Sequence, residues 1–170
     1  MSIRETHPEY ERYYSRNNAQ DFSAYSRGSN KPVLWTCPVH DHEFTMSMYS
    51  RLRKPVDYCI YCDGNKLLSG FNDLATAHPE LVPEWSATNE KSPSEYSPRS
   101  SYVAEWVCPQ GHRYTAHIYN RARGSSCALC AGNAFNPEHS VAHTHPEWVS
   151  EWSHVNRTSP DTTLMTSQKR

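Results

Sequence analysis

Residues 106–133 read WVCPQGHRYTAHIYNRARGSSCALCAGN, and the spacing of four side chains in that stretch decides the fold. Cys108 and His112 are separated by three residues, and Cys127 and Cys130 by two, with fourteen residues between the pairs. A tetrahedral metal needs four nitrogen or sulfur ligands, and two closely spaced pairs close such a tetrahedron when one sits on a tight turn and the other at a helix start. Gly111 suits the first turn, where a positive φ is expected. The alternation in YVAEWV predicts a strand before the turn, and HRYTAHIYN predicts a second strand after it, making a hairpin. The two serines before Cys127 predict a short helix carrying the second pair.

Working outward, the chain repeats itself at about 70 residues. Tyr25, Ser26, Ser29, Trp35, Cys37 and Pro38 fall on Tyr96, Ser97, Ser100, Trp106, Cys108 and Pro109. Thr45, Tyr49, Arg51 and Arg53 fall on Thr115, Tyr119, Arg121 and Arg123 after a one-residue slip, and Cys59, Cys62 and Gly64 on Cys127, Cys130 and Gly132 after another. A His-Pro-Glu segment occurs three times, at His7, His78 and His145, each followed seven residues later by Tyr14, Trp85 or Trp152 and then a serine. The expected organisation is a first repeat over 1–72, a second over 73–139 and a C-terminal half-repeat over 140–170. Asp73 is placed to cap Leu74–Ala77, and Pro79 to open a second short helix with Leu81 and Trp85 on one face. The third such segment is expected to fold back onto the second unit.

Composition agrees with small repeated units. Apolar residues make up 36% of the 170, and the chain carries 11 Tyr, 5 Trp, 12 Pro and 10 His. So few aliphatics do not build one large core, and units below roughly 70–80 residues usually need disulfides or metal. The N-terminus has no apolar signal-like core, and no stretch approaches a membrane span, so a cytoplasmic protein with reduced thiols is expected. Six cysteines there point to metal. Thiolate with imidazole favours zinc, and four protein ligands leave no open position, so the sites read as structural. The first set is Cys37, Cys59 and Cys62 with a histidine. Register favours His42, because Glu-Phe after it matches Arg-Tyr after His112, and His40 competes.

The run from Trp106 to Gly132, with His78–Trp85 and His145–Trp152 around it, resembles the "probable zinc-ribbon" repeat domains of bacteria and their phages. The resemblance covers nearly the whole chain. It implies a small α+β fold of two tandem treble-clef-like or zinc-ribbon-like units with flanking short helices and two structural Zn2+ ions. Nucleic-acid binding is that family's usual conjecture. The first copy departs from the pattern in lacking a knuckle glycine and in having an extra residue before His42.

Net charge is −1, so no global basic field favours nucleic acid, although residues 99–134 carry four Arg against one Glu. The candidate contacts are Arg51, Arg53 and Lys54 in the first copy and Arg121 and Arg123 in the second. Arginines two apart in an extended segment share a side, and forked donors suit phosphate. The same arginines, duplicated, also suit a scaffold role on nearby carbonyls. No paired carboxylates or nucleophile–base set stands out, so no enzyme, catalytic residue or small-molecule substrate is expected. The expected function is nucleic-acid contact. The alternative is a protein-interaction module that engages itself or, as a phage protein, a host factor.

Overall fold

Short capped turns open each unit because the sequence places a cap immediately before them. The computed structural model describes residues 2–132, 134, 135 and 137–164, and the chain divides into Met1–Asn72 and Asp73–Arg170. In the first unit, Ser2 and Glu5 form a capping box on α1 (Ile3–Thr6). In the second, the buried Asp73 accepts a 2.9 Å bond from the Thr76 N–H and caps α3 (Leu74–Ala77), as the sequence predicts. The His-Pro-Glu segments form tighter 3-10 turns, Pro8–Tyr13 and Pro79–Glu84. Pro83 has no N–H to continue an α-helix.

Each unit then builds one antiparallel hairpin. In the first unit β1 (Pro32–Thr36) pairs with β2 (Glu43–Ser47), setting Trp35 opposite Phe44. In the second unit β3 (Val103–Val107) pairs with β4 (Arg113–His117), setting Trp106 opposite Tyr114. Alternation sends Val33 and Trp35 inward in one unit and Ala104 and Trp106 in the other, and all four are fully buried. Each indole N–H stays satisfied: Trp35 donates to the Met46 carbonyl at 2.9 Å and Trp106 to the Ala116 carbonyl at 3.1 Å. Aromatics dominate the first core, where Tyr10, Phe22, Tyr25 and Phe44 gather around Trp35.

The second strands end earlier than predicted. Both turn at once into a single helical segment, α2 (Met48–Arg51) and α4 (Ile118–Ala122). The cause is an i, i+3 pair: a helical turn points Met48 and Arg51, or Ile118 and Arg121, into the same interior, and a strand would split them. The Cys-x-x-Cys segments also differ from expectation. Each closes one hydrogen-bonded turn, Cys59 carbonyl to Asp63 N–H and Cys127 carbonyl to Ala131 N–H, without extending into a helix.

The third segment begins another repeat. Ser140 caps α5 (Val141–Thr144), and the turn Pro146–Glu151 follows. The segment lies in the same compact unit as the second hairpin, Asp73–Arg170, and among the described residues Trp148 and Trp152 stand outside the cluster around Trp106. Its first turn bonds its own tail, the Val141 N–H to the Thr163 carbonyl at 2.8 Å, as the Leu74 N–H bonds the Tyr96 carbonyl. Trp148 is left 43% exposed, where its counterparts Tyr10 and Leu81 are each 7% exposed. Those two are covered by the hairpin that follows them.

Candidate metal centres

The hairpin turn is the first half of each centre. The Cys108 N–H donates to the His112 carbonyl at 3.1 Å, and the Gly111 N–H to the Cys108 carbonyl at 2.8 Å. Gly111 holds φ = 83°, the left-handed conformation its sequence position predicts. In the first unit the Cys37 N–H donates to the His42 carbonyl at 2.8 Å, so His42 closes that knuckle as His112 closes the other. Asp41 stands in the glycine's place at φ = 56°. Aspartate is among the few residues that tolerate that region.

The Cys-x-x-Cys turns supply the other half. Cys37, His42, Cys59 and Cys62 bring one ligand atom each to within 4.8 Å of one another, and so do Cys108, His112, Cys127 and Cys130. The Cys37–Cys62 and Cys108–Cys130 sulfurs lie 3.6 Å apart in both. A zinc–sulfur bond of about 2.3 Å gives a tetrahedral edge of about 3.8 Å, whereas a disulfide needs about 2.0 Å. His112 Nδ1 stands 3.5, 3.2 and 3.9 Å from Cys108, Cys130 and Cys127. His42 approaches Cys59 through its other nitrogen, Nε2, at 3.0 Å. The residues fit two structural zinc ions, each in a closed Cys3His set.

The sequence pattern described as "Probable Treble clef zinc finger domain" matches residues 11–65 and 81–133. The chain belongs to that family. No curated protein matches it. Each treble clef zinc finger spans one hairpin with its knuckle and one Cys-x-x-Cys turn.

The treble clef sulfurs are crowded. In the first finger, burial raises the Cys37 thiol, but the Val39 and His40 backbone N–H groups and the His40 ring outweigh it and bring it down to about 7. Cys62 moves the other way, up to about 12, through burial and the neighbouring Cys37 and Cys59. Cys130 rises to about 11 for the same reasons beside Cys108 and Cys127. Three thiolates in one small volume repel, and a divalent cation removes that conflict.

His40, the competing ligand, also lies at the first centre. Its Nδ1 is 3.4 Å from Cys62 and 4.0 Å from Cys37, and its ring lies nearly parallel to that of His42 at 5.8 Å. Phe71 stands edge-on to both imidazoles at 4.7 and 4.8 Å. Sequence reasoning missed Phe71. The only signal for it is an aromatic shortly after the Cys-x-x-Cys turn.

The arginines divide. Arg51 is fully buried, donates to the Pro55 and Val56 carbonyls at 2.7 and 2.5 Å, and lies over the Tyr10 and Trp35 rings. Arg121 is 6% exposed, binds the Ser125 carbonyl and pairs with Glu84 at 2.5 Å, over Trp106 and Tyr114. The expectation that these two contact nucleic acid is therefore corrected. The segment is helical, so period-two reasoning fails: one arginine of each pair turns inward and the other outward. Arg53, Lys54 and Arg123 remain exposed. Arg53 stacks on Tyr49 at 3.8 Å, and Arg123 lies over Tyr119 at 5.5 Å. No helix among the described residues is long and apolar enough to cross a membrane.

Proposed function

We propose that the protein is a non-catalytic, cytoplasmic zinc protein that contacts single-stranded nucleic acid through its outward arginines. The observation that carries this reading is an open cleft of about 280 Å³ lined by His7, Arg27, Gly28, Tyr49, Leu52 and Arg53. Two guanidiniums, an imidazole and a tyrosine around one opening match the needs of a phosphate with its neighbouring base. Arg53, already stacked on Tyr49, is pre-oriented and loses little freedom on binding. Arg123 over Tyr119 repeats that stack in the second finger, within the stretch that carries a net charge of +3. Lys54, next to Arg53 in the first finger, is exposed as well.

Fluorescence anisotropy with labelled single-stranded DNA and RNA at low salt tests the reading. Arg53→Ala with Arg123→Ala weakens binding about tenfold or more while both zincs stay bound. With two to four phosphates engaged, the log–log salt slope is shallow, about −0.7 per phosphate. No binding to single-stranded DNA, RNA or duplex sinks the proposal. The reading then passes to a protein partner, a host factor if the protein is phage-encoded; exposed Trp148 and Val149 favour that second reading.

A further inference from the structure

The two metal centres differ in what stands beside them. The first knuckle is one residue longer than the second, and the longer turn carries His40 as well as Asp41 ahead of His42. His40 lies outside the four ligand atoms that meet within 4.8 Å, yet its Nδ1 is 3.4 Å from the Cys62 sulfur and 4.0 Å from the Cys37 sulfur. Its backbone N–H donates to the Cys37 sulfur at 3.4 Å, which fixes this turn against the centre. The first finger thus has a fifth donor at hand. In the second finger, among the described residues, His112 is the one histidine within hydrogen-bonding distance of the cysteine sulfurs. His117, the other histidine of that hairpin, is held away by the Ser101 carbonyl at 2.7 Å and by stacking on Tyr119.

Exposure picks out which corner of each centre is vulnerable. Cys37, Cys59, Cys108 and Cys127 are buried, whereas Cys62 and Cys130 are exposed, so a reagent from solvent meets these two sulfurs first. His40 stands next to one of them. Its imidazole is itself exposed, and it needs to travel only about the 3.4 Å that separates Nδ1 from the Cys62 sulfur to occupy that corner, a step that one side-chain rotation covers. It does not serve the His42 corner in the same way. The His42 ring lies 5.8 Å away and turns its Nε2 to Cys59, on the side away from Cys62 and His40. Phe71, edge-on to both imidazoles, keeps them side by side.

We propose that His40 is a reserve zinc ligand for the Cys62 corner, so that the first finger keeps its metal when the Cys62 thiolate is consumed by a soft carbon electrophile, while the second finger loses its metal when Cys130 is. The inference rests on His42 as the resident ligand. With an activated alkene, the Cys62 sulfur forms one C–S bond, the alkene π pair takes a proton from water at the neighbouring carbon, and the resulting thioether carries no charge to hold zinc. A lone pair of the His40 imidazole replaces it, and no electron passes to or from the metal. The centre changes from three sulfurs and one nitrogen to two of each, and both are sets that zinc accepts in a closed tetrahedron. Cys130 has no such substitute, so the same addition opens the second centre.

The test uses the full zinc-loaded chain and N-ethylmaleimide as the probe. Native mass spectrometry counts zinc on each singly alkylated species, and peptide mapping locates the adduct. The Cys62 adduct should keep both zincs and the Cys130 adduct one. In His40→Ala, loaded with both zincs before alkylation, the Cys62 adduct should keep one. A second arm uses Cys62→Ser, which should retain two zincs, with the His40 Nδ1 signal moved to the zinc-bound range in nitrogen-15 nuclear magnetic resonance. A Cys62 adduct left with one zinc in the wild-type chain overturns the proposal. So does equal retention by His40→Ala, or a Cys62→Ser protein that keeps both zincs with an unmoved His40 signal, which would put water in the corner. His40→Ala that already lacks the first zinc before alkylation makes His40 the resident ligand, and overturns the proposal together with the assignment of His42.

Discussion

The Arg121 guanidinium reaches across 37 residues to pair with the Glu84 carboxylate at 2.5 Å, with side chains only 6% and 20% exposed. Glu84 closes the His-Pro-Glu turn, and Arg121 lies within α4 after the hairpin, so this contact ties the opening of the second unit to its zinc-bearing half. Replacing Arg121 with alanine leaves a half-enclosed carboxylate without its cation, which costs about 3–5 kcal/mol. Hydrogen exchange of the β3–β4 amides should accelerate accordingly while that of β1–β2 does not change. Unaltered protection in β3–β4 would show that the pair is dispensable.

Two zinc ions per chain are expected by native mass spectrometry, and one in Cys127→Ser. The remaining ion reports that the first centre closes with its own four ligands. A folded wild-type chain without metal would contradict the structural role.

Zinc affinity should rise with pH. Without metal, burial and then the neighbouring cysteines hold Cys62 at about 12 and Cys130 at about 11, so both thiols keep their protons at neutrality and lose them to zinc. Each proton displaced changes the affinity about tenfold per pH unit, in favour of zinc as pH increases. Competition with a chromophoric chelator at pH 6 and pH 8 measures this. A strong chelator at neutral pH, and acid alone, should each remove most near-UV circular dichroism, because the aromatic cores are small. Circular dichroism that survives proven zinc loss would uncouple metal from folding.

His42→Ala should lose the first zinc and His40→Ala should keep it. His42 occupies the knuckle position of His112, with its carbonyl bonded by the Cys37 N–H. Zinc content after dialysis decides the matter, and the opposite pattern would make His40 the ligand.

Much of this was legible in the sequence. Ligand spacing, the Gly111 turn, the Asp73 cap and the inward tryptophans each follow from a local rule that tertiary context did not overrule. What the sequence hid lies where local pattern is ambiguous. HRYTAHIYN supports a strand throughout, and only the interior need for Ile118 and Arg121 on one side converts its end to a helix. Arg51 and Arg53 are the same residue type two positions apart, and burial separates them completely. The exposed Trp148 was hidden differently: its segment repeats Tyr10 and Leu81 well enough to predict burial, yet Trp148 stacks on its own His145 at 3.9 Å and stays 43% exposed.

The form of the two hairpins also bears on solubility. A two-stranded hairpin has outer edges whose free N–H and C=O groups invite another strand, the route to aggregation. Asn18 and Asn89 occupy the central pair of such groups on β1 and β3 with a side chain, so a single amide imitates a neighbouring strand for one residue. Each hairpin is thereby shielded at the centre of that edge without a third strand.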